Sequence, residues 1–310
     1  MTTAQFPAEQ SKTGEFNRQE DAFRGWVKRD GSTPYQPEAG RYHLYVSLAC
    51  PWAHRVIILR KLKGLEQAIG MTVVDPVRDE RGWAFRDGSG HARDPLNGFA
   101  FLSEAYAASD PNFRGRVTVP VLWDKQTKRI VSNSDDDLLR MLNSEFSDFA
   151  ANDYNFYPAA LRQEIDAVNE LVYERVNDGV YRAGFASKQA PYERAARKLF
   201  ETLAALDARL AQQRYLLGST MTEADWRLFP TLIRFDAVYC GHFKCNLRRI
   251  VDYPNLWPYL RDLYQHDGVA ETVNFDHIKR HYYITHTQIN PTQIVPIGPE
   301  QDLNAPHGRG

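Results

Sequence analysis

Cys50-Pro51-Trp52-Ala53-His54-Arg55 is the stretch on which the reading of this chain turns. Just upstream, Arg41-Tyr-His-Leu-Tyr-Val-Ser-Leu48 is a compact run of strand formers bounded by Gly40. Downstream, Val56, Ile57, Leu59 and Leu62 recur at helical spacing until Gly64, a helix stop. Cys50 therefore falls at a strand-to-helix junction. The unpaired amides of the first turn and the positive end of the helix dipole favour a thiolate there, which lowers a cysteine pKa. Pro51 suits the first turn, where its missing N–H is not needed. His54 and Arg55, about one turn on, are expected to add positive potential. The plainer alternative is a structural cysteine buried at a helix cap.

One absence narrows the chemistry. A dithiol oxidoreductase would carry a second cysteine at position 53, where this chain has Ala53. Cys50 is thus expected to form a mixed disulfide with an outside thiol, released by another small thiol.

Beyond the first helix, residues 71–74 read as a second strand. Residues 76–113, rich in Gly, Asp, Arg and Pro, read as a long excursion, and such excursions tend to be functional. Residues 117–123 and 129–131 read as two strands joined at 124–128, and a helix from 135 to about 143 closes this half. A helical crossover makes the first two strands parallel, while the final hairpin is antiparallel. This order resembles the thioredoxin fold. In that fold the residue before a cis-proline offers its backbone to an extended peptide, the role expected of Val119 before Pro120.

After residue 150 the pattern is helical. Residues 161–176 and 192–213 carry apolar positions three and four apart, as at Leu199, Leu203, Leu206 and Leu210. Thr222-Glu-Ala-Asp225 is a capping box opening a helix over 226–239, with shorter helices near 256–265 and 269–281. The expected organisation is an N-terminal extension over 1–40, an α/β thioredoxin-like domain over 41–148, an all-α domain over 149–288 and an extended tail over 289–310.

Composition excludes several classes. Of the 310 residues, 43% are hydrophobic and 25% charged, with a net charge of −1, so nothing points to nucleic acid. No apolar stretch is long enough to span a bilayer and the N-terminus lacks a secretory apolar core. Three cysteines, Cys50, Cys240 and Cys245, are too few for a disulfide framework, so free thiols in a cytoplasmic setting are expected. Cys240-x-His242-x-x-Cys245 lacks a fourth local ligand, and no metal is expected.

Cys50–Arg55, Arg81-Gly-Trp83, Thr118-Val-Pro-Val-Leu-Trp-Asp124, Ile130-Val-Ser-Asn133, Gly179-Val-Tyr-Arg-Ala-Gly-Phe185, His281-Tyr-Tyr283, Ile289-Asn-Pro291 and Ile294-Val-Pro296 occur in consistent order between about 20 and 303. Together they resemble the Xi class of glutathione transferases, the glutathionyl-hydroquinone reductases. The resemblance implies a thioredoxin-like domain followed by a helical glutathione-transferase domain, commonly as a homodimer. It implies glutathione as co-substrate, aromatic hydroquinone conjugates as partners, and neither membrane nor metal. It assigns Cys50 as nucleophile, Tyr181 as acid/base, and Tyr239 and Tyr282 as phenols that hydrogen-bond the sulfur. Trp83, Arg116, Val117, Thr118, Val119 and Pro120 match the glutathione-binding segment.

The pattern departs from the family after Ser132-Asn133. The family's Glu-Ser pair is replaced by Ser134-Asp135, followed by Asp136 and Asp137. Ser134 with Asp137 reads as a capping box, and three aspartates in the first turn oppose a carboxylate. Altered or weaker glutathione binding is expected. The rival readings are another cysteine-type glutathione transferase (an omega-like thiol transferase or dehydroascorbate reductase, or a β-etherase) and a non-catalytic binding protein on the same fold.

Overall fold

The structure, a computed structural model, describes residues 9–309; residues 1–8 of the expected N-terminal extension and residue 310 of the tail lie outside the described residues. The chain forms two compact units. One contains Gln19–Asn155 and Glu271–His281; the other runs up to Arg18, continues through Phe156–Ala270 and resumes at Tyr282. Residues 19–40, expected as part of an extension, belong to the first unit.

The first unit is built on four strands, β1 (Tyr42–Val46), β2 (Gly70–Val73), β3 (Val121–Asp124) and β4 (Arg129–Ser132), in the order β2-β1-β3-β4. β1 and β2 are parallel, with His43 opposite Gly70, and β1–β3 and β3–β4 are antiparallel. Every residue of β1 and β3 is buried. That requires cover on both faces of the sheet, which explains why β1 reads as a run of bulky residues rather than an alternation.

Helix α1 (Pro51–Leu62) starts where Cys50 takes the N-cap position, and its middle is apolar on all sides because it is buried. Its end is set by Gly64 at φ +64°. The Gly64 amide donates to the Lys61 carbonyl at 3.0 Å and the Leu65 amide to the Arg60 carbonyl at 2.9 Å, a Schellman pair that needs the left-handed residue. α2 (Leu102–Ser109) lies inside the stretch expected as an irregular excursion. Leu102, Ala105, Tyr106 and Ser109 form its buried stripe, and Glu104 accepts the amides of Ala100 and Phe101, each at 2.9 Å. α3 (Asp135–Ser144) closes the sheet unit and packs against α1.

The second unit contains α4 (Arg162–Val172), α5 (Gly179–Gly184), α6 (Gln189–Leu210), α7 (Glu223–Arg234) and α8 (Leu256–Tyr264). α9 (Phe275–Thr285) contributes its first turns to the sheet unit and its last to the helical one. Two wide π-type turns, Tyr173–Asn177 and Phe235–Tyr239, follow α4 and α7. The expected capping box at α7 is present on the expected residues, and the helix starts at Glu223, three residues before the expected start: Asp225 accepts the Thr222 amide at 2.8 Å and also the hydroxyl of Tyr259 at 2.7 Å. The tail beyond Ile289 is extended and is tied to the helical unit, where Arg309 donates to the carbonyls of Leu210, Gln213 and Arg214. Among the described residues no helix is long and apolar enough to cross a membrane.

Candidate active site

The sheet unit places Cys50 at the α1 N-terminus, with φ −76°, ψ 123° and its carbonyl accepting the His54 amide at 3.0 Å. The thiol is half-buried and donates to the carbonyl oxygen of Val119 at 3.5 Å. Val119 precedes Pro120 through a cis peptide bond. The expected strand over 117–123 starts only at Val121, because proline cannot donate to a ladder and Thr118 is held by a side chain instead. The Tyr106 hydroxyl donates to the Thr118 carbonyl at 2.9 Å and accepts its amide at 3.1 Å, and Asn133 donates to the Thr118 hydroxyl at 2.9 Å. Cys50, Val119 and Pro120 are therefore brought together, with Thr118 pinned beside them. Arg116 and Val117 lie on the same half-buried irregular segment.

Two expectations about charge near Cys50 change. The Arg55 guanidinium is shared with two carboxylates. Arg55 is 1% exposed, lies 2.7 Å from Asp135 and 3.8 Å from Asp136, and sits 4.5 Å over the Trp52 ring. His54 is fully buried with its ring on the Thr272 hydroxyl at 2.8 Å. The capping box expected of Ser134 and Asp137 is only half formed. Ser134 accepts the Asp137 amide, but the Asp137 carboxylate is bidentate to Arg24 at 2.6 and 2.7 Å. Two guanidiniums thus offset the acidic turn that the sequence reading set against an incoming carboxylate. Trp83 is buried, stacked on His281 at 5.0 Å with Arg78 4.7 Å from its ring on the same unit.

The helical unit gathers the three tyrosines. The hydroxyl of Tyr282 lies 2.5 Å from that of Tyr181 and 3.0 Å from that of Tyr239, so Tyr282 is the middle member of a chain. Burial pushes the Tyr239 and Tyr282 phenols well above the usual value, which keeps both protonated at neutral pH. The buried ring of Phe243 stacks on Tyr239 at 5.5 Å and meets Tyr181 at 5.4 Å. Gly184 makes room for it: a Cβ there would lie 2.1 Å from Phe243 Cγ.

Cys240 and Cys245 are free, and burial raises both thiols. His242 faces His286 at 3.2 Å, and among the described residues no group of three or more His, Cys, Asp or Glu is arranged to hold a metal. Sequence reading missed Tyr106 and Arg18, whose guanidinium lies 4.8 Å from the centroid of the Tyr181 ring. The helical spacing of Leu102, Ala105 and Tyr106 carried a signal for the first. Nothing in the local pattern marked the second.

A lone cysteine at a helix N-terminus, facing a cis-proline in a β2-β1-β3-β4 sheet and followed by an all-helical unit, defines a cysteine-type transferase of thioredoxin-like architecture. The family models described as "Glutathione S-transferase, N-terminal domain" and "Glutathione S-transferase, C-terminal domain" match residues 49–145 and 189–262. Glutathionyl-hydroquinone reductase YqjG of Escherichia coli is 52% identical over 96% of this chain and 93% of its own. Glutathionyl-hydroquinone reductase PcpF of Sphingobium chlorophenolicum is 50% identical over 94% and 92%. The glutathione-bound structure of YqjG superposes with a TM-score of 0.90 at 53% identity, covering 93% of this chain and 96% of that one. The chain belongs to the glutathione S-transferases, within the Xi class of glutathionyl-hydroquinone reductases.

Proposed function

We propose that this chain is an enzyme that reduces glutathionyl-hydroquinones to hydroquinones with glutathione as co-substrate. The observation that carries the reading is a single accessible thiol at a helix N-terminus, next to a backbone edge suited to a peptide. Cys50 acts as thiolate on the sulfur of the conjugate. The Cys50–glutathione disulfide forms, the carbon–sulfur bond breaks, and its electron pair goes to the ring carbon, which Tyr181 protonates. A second glutathione gives up its thiol proton, which restores Tyr181, and its sulfur attacks the mixed disulfide. Oxidised glutathione leaves and the Cys50 thiolate returns. With the conjugate and glutathione consumed, hydroquinone and oxidised glutathione are the products, and atoms and electrons balance.

Within this reading Val119 offers its backbone to the cysteinyl part of glutathione, with Pro120 setting the turn. Trp83, Arg116, Val117 and Thr118 serve the same ligand, and Ser134 and Asp135 meet its γ-glutamyl end. Tyr239 and Tyr282 act through the hydroxyl chain. A homodimer and a cytoplasmic location complete the proposal; the free thiols support a reducing compartment. The omega-like, β-etherase and non-catalytic alternatives are not favoured, given the identity to two reductases over nearly the full length of each.

Incubation with a glutathionyl-hydroquinone followed by intact-protein mass spectrometry tests the reading. One glutathione adduct on Cys50, removed by excess glutathione, is expected. A Cys50→Ser variant that keeps turning over the conjugate would overturn it.

A further inference from the structure

The Tyr181 ring is packed beneath a guanidinium that the reaction scheme does not use. Arg18 lies with its Cζ 4.8 Å from the centroid of the Tyr181 ring and 5.5 Å from that of Phe16. Its side chain is only 16% exposed, and its Nε donates to Asp178 at 2.9 Å. Asp178, 2% exposed, also accepts from Arg182 at 2.8 Å. Two guanidiniums therefore share one carboxylate.

Other charged or titratable groups stand nearby. On the hydroxyl chain stand Tyr282 and, one step further, Tyr239, both protonated. Tyr173 lies near Arg18 on the π turn before α5. The buried Arg234 acts on the Tyr239 and Tyr282 end, and the His286 ring is 5.5 Å from that of Tyr282. Arg18, held by its carboxylate partner, lies against the Tyr181 ring, and either oxygen can donate at each step of the hydroxyl chain. Tyr239 donates to Tyr282, and Tyr282 donates to Tyr181, when Tyr181 has lost its proton.

We infer that Arg18 is a positioning residue for proton transfer: held by Asp178, it stabilises the Tyr181 phenolate that forms when the ring carbon is protonated. The inference rests on Tyr181 being the acid of the proposed reaction. A cation over an aromatic face is attracted to the ring, more strongly when both are withdrawn from water. The attraction grows when the ring becomes an anion. Arg18 therefore makes Tyr181 a stronger acid at the moment the carbon–sulfur bond breaks. A disulfide pre-formed on enzyme whose Tyr181 has regained its proton from solvent needs no phenolate: a thiolate displaces it and no carbon takes a proton, so its discharge does not call on Arg18.

The two half-reactions separate these roles. In wild type, Arg18→Met, Arg18→Lys and Tyr181→Phe, single-turnover mixing would follow hydroquinone release from a glutathionyl-hydroquinone. Discharge of a pre-formed Cys50–glutathione disulfide by glutathione would be followed separately. Arg18→Met is expected to slow hydroquinone release roughly tenfold or more while disulfide discharge changes less than about twofold, and Arg18→Lys to recover part of the loss. The alkaline limb of kcat/KM is expected to move to higher pH in Arg18→Met, together with the phenolate absorbance of the titrating tyrosine.

Equal losses in both half-reactions, or an unmoved alkaline limb, would overturn the inference by making Arg18 merely structural. Unchanged hydroquinone release in Arg18→Met would overturn it too. If Arg18→Met fails to fold, the same half-reaction ratio and alkaline limb in Arg18→Lys decide. Full hydroquinone release by Tyr181→Phe would instead remove the reading on which the inference stands.

Discussion

Asp135 is held 2.7 Å from the guanidinium of Arg55, and this pair occupies the turn in which the family pattern has a Glu-Ser sequence. The Arg55 side chain is 2% exposed and that of Asp135 13%. Breaking a buried pair leaves a charge without its partner. Asp135→Asn is expected to lower stability by about 3 kcal/mol, read as a lower urea midpoint with an unchanged slope. The double variant Ser134→Glu/Asp135→Ser restores the family order and is expected to bind glutathione more tightly by isothermal titration. Unchanged affinity would mean that Asp135 already meets glutathione as well as the family pair does.

Tyr282 is the middle of the hydroxyl chain, so its removal breaks both contacts at 2.5 and 3.0 Å, while removal of Tyr239 breaks one. A hydrogen bond to a charged group is worth about 1.5–3 kcal/mol. Tyr282→Phe is therefore expected to cost roughly tenfold to hundredfold in kcat for the conjugate, and Tyr239→Phe less. A larger loss in Tyr239→Phe than in Tyr282→Phe would contradict this order.

Gly184 faces the Phe243 ring at contact distances that leave no room for a methyl. Gly184→Ala must push that ring, which packs on Tyr181 and Tyr239. Overpacking of this kind costs about 1–3 kcal/mol. A lower melting temperature and a lower kcat are expected together, and restored values are expected in Gly184→Ala/Phe243→Leu. If the second change restores neither, the two residues do not act on each other.

His43 and His242 are both held at about 4 by burial. Their folded values lie below the ordinary value, so the unfolded chain binds more protons between pH about 4 and 6.5. Their contribution to stability is complete above pH 6.5 and is lost as pH falls towards 4. Each adds up to about 1.4 kcal/mol per pH unit within that window. Urea unfolding between pH 7 and 4 is expected to show a slope that shrinks in His242→Gln. An unchanged slope would show that His242 carries none of the acid response.

Much of the fold could be read in advance because local and global signals agreed. The Cys50–Gly64 segment has an N-terminal proline, a buried apolar middle and a glycine that closes a Schellman pair, and each points to the same helix. The Thr222–Asp225 box was equally plain. The excursion at 76–113 was not, because α2 is only eight residues long and sits among glycines and charges. At the site, Cys50 and Pro120 followed from their junctions. The tyrosines came only from resemblance, since an isolated Tyr in a helix looks like any core aromatic. Charge pairing across sequence, Arg55 with Asp135 and Arg24 with Asp137, has no periodic signature, and so the acidic turn looked more hostile to an anion than it is.

The two π-type turns carry a consequence of their own. Tyr239 ends one of them, and Tyr181 follows the other by four residues. Winding the same five residues of either stretch as ordinary α-helix would swing the following side chains by about 100°. The aim of these phenols is thus written in a count of peptide units. Side-chain scanning through 173–177 or 235–238 would pass over that information.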